Sequence, residues 1–404
     1  MPDKQTMHKR KIIKHLYFEG PLSCADLSLL IKRSIPLTAR VLSELVEESY
    51  VIETGLASST GGRRPQMYSV RRDLLYVVAV AMDQLITRMS LTDMHNNRVG
   101  QEVHVELKLT NNPHALQELA DAIEAFIHES GIPKEKIAGV GIGMPGFVDV
   151  RKGINHSFLK VSGGSIVSYF ESHIGVPVLI DNDSSLIALA ELRLGAAQKR
   201  QNVMVVNISW GIGLGLILKG ELFRGYNGFA GEFSHIPVFM NNKMCSCGKS
   251  GCLETEASLL ILAEKAVRGL EQGNISLLKD LPRAHVEDTI QDIVEAALKG
   301  DKFAVSLFSE AGYNIGRGIA ILIHLLNPEL VVLSGRGAAA GRLWLPPIQQ
   351  AINEHCIPKI AENTEVTISR LCFEAGLTGA AALVMEHFEK NMHDHLFKKQ
   401  EKVA

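Results

Sequence analysis

Residues 202–225, NVMVVNISWGIGLGLILKGELFRG, decide how this chain is built. NVMVVNIS (202–209) and GLGLILKGELFRG (213–225) are apolar runs of strand character, with a glycine turn at Gly211 to Gly215. Such a pattern predicts paired buried strands. What matters is where it falls. Upstream, LLYVVAVAMD (74–83), TRMSLTD (87–93) and EVHVEL (102–107) read as three strands, and PHALQELADAIEAFIHES (113–130) as an amphipathic helix. KIAGVGIGMPGFVD (136–149) and PVLIDND (177–183) then read as buried strands running into turns, and SSLIALAELRLG (184–195) as a helix stopped by Gly195. One α/β layer set is therefore complete before residue 202, and the quoted stretch begins a second. Helices are expected over roughly 256–326, PELVVLSGRG (328–337) as a late strand and turn, and VTISRLCFEAGLTGAAALVMEHFEK (366–390) as a strand and closing helix. No tandem repeat period is visible. In open α/β sheets chemistry sits beyond the carboxyl ends of strands, which singles out the turns at 143–146, 181–183, 211–215 and 334–337.

Bulk properties agree with a multidomain globular chain. It has 404 residues, 46% hydrophobic and 21% charged, which is too long for one ordinary core. The N-terminus is polar and basic, without a signal-peptide apolar run, and 74–82 is far short of a membrane span. A cytoplasmic location without membrane insertion is expected. Residues 1–72 carry 12 Lys and Arg against 7 Asp and Glu, whereas the remainder carries 30 against 37. A basic head on an acidic body points to a nucleic-acid partner at the N-terminus.

That head reads as three helices and a hairpin. A first helix over 6–19 is ended by Gly20-Pro21, Ser23 caps a second, and a third starts near Pro36 with Val41, Leu42, Leu45 and Val46 inward. YVIETGLASSTGGRRPQMYSV (50–70) then reads as a wing. In a winged helix-turn-helix the third helix enters the major groove, which nominates Leu37, Thr38, Arg40 and Ser43 for base edges, and Arg63 and Arg64 for phosphates or a minor groove. A protein-docking module is the competing reading. Lys9, Arg10, Lys11 and Lys14 read as a solvated helix face or as phosphate contacts.

His235, Cys245, Cys247 and Cys252 lie within eighteen positions of a chain with 6 cysteines. One imidazole and three thiolates complete a tetrahedral zinc set, closed and therefore structural. Gly248 and Gly251 allow the tight backbone that three converging sulfurs need. Fortuitous clustering is the alternative, and Cys24, Cys356 and Cys372 read as core residues.

Taken together, GYNGFAGEFSHIPV (225–238), CSCGKSGCLETEAS (245–258), GIGMPGFVD, GVPVLIDNDSSLIALAE, NISWGIGLGLILKGELFRG and NPELVVLSG resemble, in order, the landmarks of the ROK family of repressors, open reading frames and sugar kinases. With a winged head in front, the likeness is to the regulator branch. The resemblance implies a two-lobed actin-like, ribonuclease-H-like α/β body: head 1–72, lobe 1 over 73–199 with a C-terminal helix 375–396 returning to it, and lobe 2 over 200–374 with the zinc site. It implies that Asn182, Asp183, Glu232, His235 and Glu254 contact sugar hydroxyls, with Asp183 the general base in a kinase member. Metal on one nitrogen of His235 would leave the other N–H for the sugar. For Asp183 alone, helix N-capping is the competing role.

Three departures bear on activity. Where kinase members have an Asp-x-Gly-x-Thr phosphate loop, residues 81–89 read AMDQLITRM; Ser209-Trp210 stands for a usual Gly-Thr; and SGRG replaces a plain Gly-Gly. Phe158 stands where sugar-binding members commonly have Asn, and Ser234 where Gly is usual. The expectation is a sugar-responsive repressor without enzymatic activity, with structural zinc, operator DNA, a sugar or sugar-derivative effector, and a homodimer or dimer of dimers. An ATP-dependent hexose or N-acetylhexosamine kinase is the alternative, and a regulator answering to a protein partner is a third.

Overall fold

A computed structural model describes residues 4–58, 64–161, 163–279, 281 and 286–389. The head is α1 (Lys4–Glu19), β1 (Leu22–Ser23), α2 (Cys24–Leu30), α3 (Ile35–Glu47), β2 (Val51–Leu56) and β3 (Gln66–Val70). Ser23 starts α2 by a capping box: its hydroxyl accepts from the Asp26 N–H, and the Asp26 carboxylate accepts from the Ser23 N–H. Pro36 lies in the first turn of α3. Leu16, Leu27, Val41, Leu42 and Leu45 form the head's core, and β1-β3-β2 is the wing sheet. This is a winged helix-turn-helix. Its β1 pairing, two residues long, was beyond the reach of periodicity.

Contacts divide the chain into two compact units: residues up to Asp181 together with those from Ala380, and Asn182–Gly379. The first holds the head and then β4 (Tyr76–Met82), β5 (Ile86–Asp93), β6 (Arg98–Glu106), α4 (Ala115–Glu129), β7 (Ile137–Met144), the short hairpin β8 (Val148–Asp149) and β9 (Ile154–Asn155), α5 (Ile166–Ile174) and β10 (Val178–Asn182). Its sheet runs β10-β7-β4-β5-β6, antiparallel from β4 to β6 and parallel between β4 and β7.

The second unit holds α6 (Asp183–Leu194), β11 (Val203–Ile208), β12 (Ile212–Leu218), β13 (Glu221–Phe223), α7 (Glu254–Ala257), α8 (Leu259–Glu271), α9 (Val286–Leu298), α10 (Lys302–Leu326), β14 (Leu330–Ser334), α11 (Leu345–His355), α12 (Pro358–Ala361) and β15 (Glu365–Ile368). Its sheet runs β13-β12-β11-β14-β15, with β11–β12–β13 antiparallel and β11–β14–β15 parallel. The strand order of the first sheet is thus repeated in the second, the doubled ribonuclease-H-like topology of actin-like proteins. α13 (Ala375–Glu386) begins in the second unit and ends in the first; the expected helix reached 396, whereas residues 387–389 form a turn and 390–396 lie outside the described residues.

Gly213 and Gly215 sit inside β12, not in a turn. A Cβ on Gly213 would lie 2.0 Å from Ser184 Oγ, and one on Gly215 would lie 2.2 Å from Ala188 Cβ. Missing side chains there let α6 press directly onto β12, which fixes the helix that carries Asp183.

Candidate functional site

The metal cluster is built by a loop folded back on itself. Phe239 N–H donates to Gly251 O, and Pro237 and Met244 bridge Cys252 and Ser250. Gly251 has φ +77° and a Cβ there would stand 2.0 Å from Phe239 O, so only glycine fits. Gly248, at φ +80°, turns the chain between Cys247 and Cys252. The result brings one ligand atom from each of His235, Cys245, Cys247 and Cys252 within 4.8 Å of the others. Cys247 Sγ and Cys252 Sγ are 3.7 Å apart, and Cys245 Sγ is 3.5 Å from His235 Nδ1. A tetrahedron with Zn–S near 2.3 Å has sulfur–sulfur edges of roughly 3.8 Å, so the donor set fits zinc. Burial first, and then the two neighbouring sulfurs, push the Cys252 thiol up to about 12. A divalent cation is what stabilises three such sulfurs as thiolates at neutral pH.

Around the loop, Glu256 is a buried anchor. It pairs with Lys243 at 2.5 Å and Lys265 at 3.0 Å and accepts from Asn241 Nδ2 at 2.6 Å. Arg317 donates to Val238 O at 3.2 Å and lies 4.8 Å above the Phe239 ring.

His235 joins this cluster to the acids. While Nδ1 faces Cys245, Nε2 lies 3.7 Å from the Glu232 carboxylate. Burial raises the Glu232 carboxyl and Glu254 adds to that, against a lowering by His235. Glu254, first residue of α7, has one oxygen 3.9 Å from Cys245 Sγ and accepts from Ile212 N–H at 3.4 Å with the other. Gly211 makes room for it, since a Cβ there would stand 2.6 Å from Glu254 Oε2. Glu232, His235 and Glu254 thus come together at the β11–β12 turn.

Asn182 and Asp183 reach the same sheet from α6. The cap of α6 is Asn182, whose Oδ1 accepts from the N–H groups of Ser184 and Ser185 at 3.0 and 3.1 Å. Capping therefore falls on Asn182 and not on Asp183, because the chain is extended at 182 and already helical at 183. One Asp183 oxygen accepts from Ser184 N–H at 2.8 Å, and the other is 3.5 Å from Asn207 Nδ2. Asn207, buried on β11, also donates to Ser184 Oγ at 3.0 Å and was missed in the sequence. A lone polar residue inside an apolar strand was the available signal. Phe158 packs on the core of the first unit.

At the turns resembling nucleotide loops, the protein's own groups are the partners. Asp83 Oδ1 accepts from the N–H groups of Leu85 and Ile86, both at 2.8 Å. Arg336 of the SGRG turn is buried, its guanidinium 4.5 Å from the Trp210 ring centre and 4.0 Å from that of Phe373, and it pairs with Glu287.

In the head, α3 presents Ile35, Ala39, Arg40 and Ser43 outward. Leu37 is half-buried. Thr38 is a correction: it is fully buried, its hydroxyl donating to Ser34 O at 3.0 Å, because the inward face of α3 runs 38, 41, 42, 45. Arg64 is exposed, and Arg63 lies outside the described residues. The α1 cations are a second correction. Lys9 and Arg10 are buried, and Lys9 pairs with Glu48 at 2.6 Å and Glu44 at 3.3 Å. Lys14 pairs with Glu386 at 2.9 Å and Lys11 lies 3.8 Å from Glu389. Each cation has a protein partner, so neither a solvated face nor a phosphate surface describes them.

A winged helix-turn-helix thus precedes a doubled ribonuclease-H-like body that sets acids beside a His/Cys3 cluster. The ROK family profile matches residues 87–387, and the chain belongs to that family. It is 27% identical over 393 residues to the xylose repressor of Caldicellulosiruptor bescii, covering 94% of this chain and 95% of that one. It is 29% identical over 368 residues to the DNA-binding transcriptional dual regulator NagC of Escherichia coli, covering 90% and 89%. A glucokinase of Halalkalibacterium halodurans is 32% identical over 271 residues, covering 66% of this chain and 82% of that enzyme. Among solved structures, a ROK family transcriptional regulator described as a homologue of the E. coli MLC protein superposes with TM-score 0.78 at 24% identity, covering 95% of this chain and 96% of that one. No described helix is long and apolar enough to cross a membrane.

Proposed function

We propose that this protein is a sugar-responsive transcriptional repressor that binds operator DNA through its winged head and a sugar or sugar derivative through Asn182, Asp183, Glu232, His235 and Glu254. The observation that carries the reading is the division of labour in His235, with Nδ1 toward the thiol cluster and Nε2 toward Glu232. Zinc held by His235, Cys245, Cys247 and Cys252 would fix the imidazole and supply no reactive water, its four positions being filled by protein. The carboxylates accept hydroxyl hydrogens and the His235 N–H donates one. Relatives that share nearly the whole chain, head included, are by name a xylose repressor and a DNA-binding transcriptional dual regulator, which supports the regulatory reading.

Against phosphoryl transfer, the Leu85 and Ile86 N–H groups after β4 are taken by Asp83, and the Arg336 guanidinium lies over the Trp210 and Phe373 rings where nucleotide turns are expected. Arg40, Ser43 and Arg64, with Leu37 at the edge, are the side chains assigned to DNA, and Arg63 stays with them as an expectation. A dimer would present two such heads to a palindromic site. The test is a mobility-shift titration with the gene's own upstream promoter, with and without pentoses, hexoses and N-acetylhexosamines. A sequence-selective shift altered by one sugar supports the reading. ADP release on adding ATP and a sugar, abolished in Asp183→Asn, would replace it with the kinase reading.

A further inference from the structure

The cations of α1 divide between two partners. Lys9 stays within the head, on Glu44 of α3 and Glu48 at its cap, while Lys14 engages the end of α13, and Arg10 and Lys11 engage Glu389 in the turn that follows it. Lys14 Nζ lies 2.9 Å from Glu386 and 3.5 Å from Glu389, and also donates to the Glu386 carbonyl at 3.1 Å. Arg10, 1% exposed, donates to the Glu389 carbonyl at 3.5 Å. A cation on the last carbonyl of a helix, as Lys14 is on that of Glu386, meets the negative end of its dipole, and side chains this buried are little screened by salt.

A second contact seats α1 on the first sheet. Asn96 Nδ2 donates to Tyr17 O at 3.3 Å, and the turn that carries Asn96 is held by Asp93, which accepts from the N–H groups of His95 and Asn97. Nor is there slack between head and sheet. Between β3 and β4, Arg71 N–H donates to Tyr50 O, Met94 N–H donates to Arg72 O, and Leu74 and Leu75 are buried. At its other end α13 packs on α6 without clearance, for a Cβ on Gly379 would stand 2.0 Å from Leu186 O. α6 is the helix that opens with Asp183.

We propose that α13 is the lever that moves the DNA-binding head, with Lys14, Glu386 and Glu389 as positioning residues: a shift of α6 at the effector residues travels along α13 and reaches α1 through the ion-pair clamp. This rests on the reading of the head as a DNA-binding domain. Linkage then requires the reverse effect, DNA on the head restraining α13.

Hydrogen exchange on the zinc-loaded full chain tests it, with and without a duplex of the gene's own upstream promoter. In the wild type the duplex slows exchange in α13 by about threefold or more, a coupling of at least ~0.6 kcal/mol. Lys14→Glu, which sets a carboxylate against Glu386 and Glu389, speeds basal exchange in α1 and abolishes the DNA-induced protection of α13. The swap Lys14→Glu with Glu386→Lys restores both. Glu386→Gln moves both readouts the same way by less, and serves if the reversal does not fold. Unchanged α1 exchange in Lys14→Glu, protection of α13 that survives it, or a bound wild type without α13 protection overturns the lever. Failure of the wild type to bind the promoter sinks the DNA reading instead, while basal α1 exchange still judges the clamp.

Discussion

The two five-stranded sheets share one strand order, yet their first hairpin turns have opposite uses. After β4, Asp83 spends its carboxylate on the N–H groups of Leu85 and Ile86, and the turn closes on itself. After β11, Gly211 leaves room for Glu254, and the turn gathers Glu232, His235 and the thiol cluster. A repeated scaffold thus leaves one unit to carry the head and the other to carry the His/Cys3 cluster and its neighbouring acids. What separates the two is local: one self-satisfied aspartate against one missing Cβ.

The largest way to break that contrast is to remove the metal ligands. Cys247→Ser leaves a three-ligand set; bound zinc measured by atomic emission falls below about a tenth of the wild-type amount, and the second unit melts earlier while the head keeps its helical signal. Next comes the scaffold: Gly213→Val drives a side chain into Ser184 and costs about 3 kcal/mol or more in urea unfolding. At the site, Glu254→Gln removes a charge while keeping the shape. It abolishes the sugar effect on promoter affinity and leaves zinc content unchanged. In the head, Arg40→Ala weakens promoter binding about tenfold, a loss of ~1.4 kcal/mol, whereas Thr38→Val changes it less than about twofold because Thr38 is in the core.

The smallest effect is a pH dependence in the second unit. The N–H groups of Gln201 and Asn202 donate to Glu329 and hold its carboxyl below its ordinary 4.5. A depressed carboxyl gives stability that is present above 4.5 and lost as pH falls through the lower folded value. Glu329→Gln therefore costs about 1 kcal/mol at pH 7 and nothing once both forms are protonated, as comparing denaturant midpoints at the two pH values will check.

Much of this was legible because it is local. Four candidate metal ligands within eighteen residues, Ser23 before the second helix and Pro36 within the first turn of the third announce themselves by spacing. Thr38 was misread because helical phase is uncertain by one residue, and one residue is 100° of face. Lys9, Arg10 and Lys14 were misread for a different reason: a basic helix face looks solvated until its partners are brought beside it, Glu48 for Lys9, the Glu389 carbonyl for Arg10 and Glu386 for Lys14. The repeated topology left no trace in the sequence, since two sheets need only the same alternation of burial, not the same residues. Likewise nothing in SGRG foretold that Arg336 would meet the Trp210 and Phe373 rings, as all three are distant in the chain.

The most direct test of the central claim is promoter affinity by fluorescence anisotropy across a panel of pentoses, hexoses and N-acetylhexosamines. The account predicts that at least one sugar shifts the affinity of the zinc-loaded protein by about tenfold, a coupling of ~1.4 kcal/mol, and that Glu254→Gln erases the shift. No shift with any sugar, together with sugar-dependent ADP release that Asp183→Asn abolishes, would contradict it.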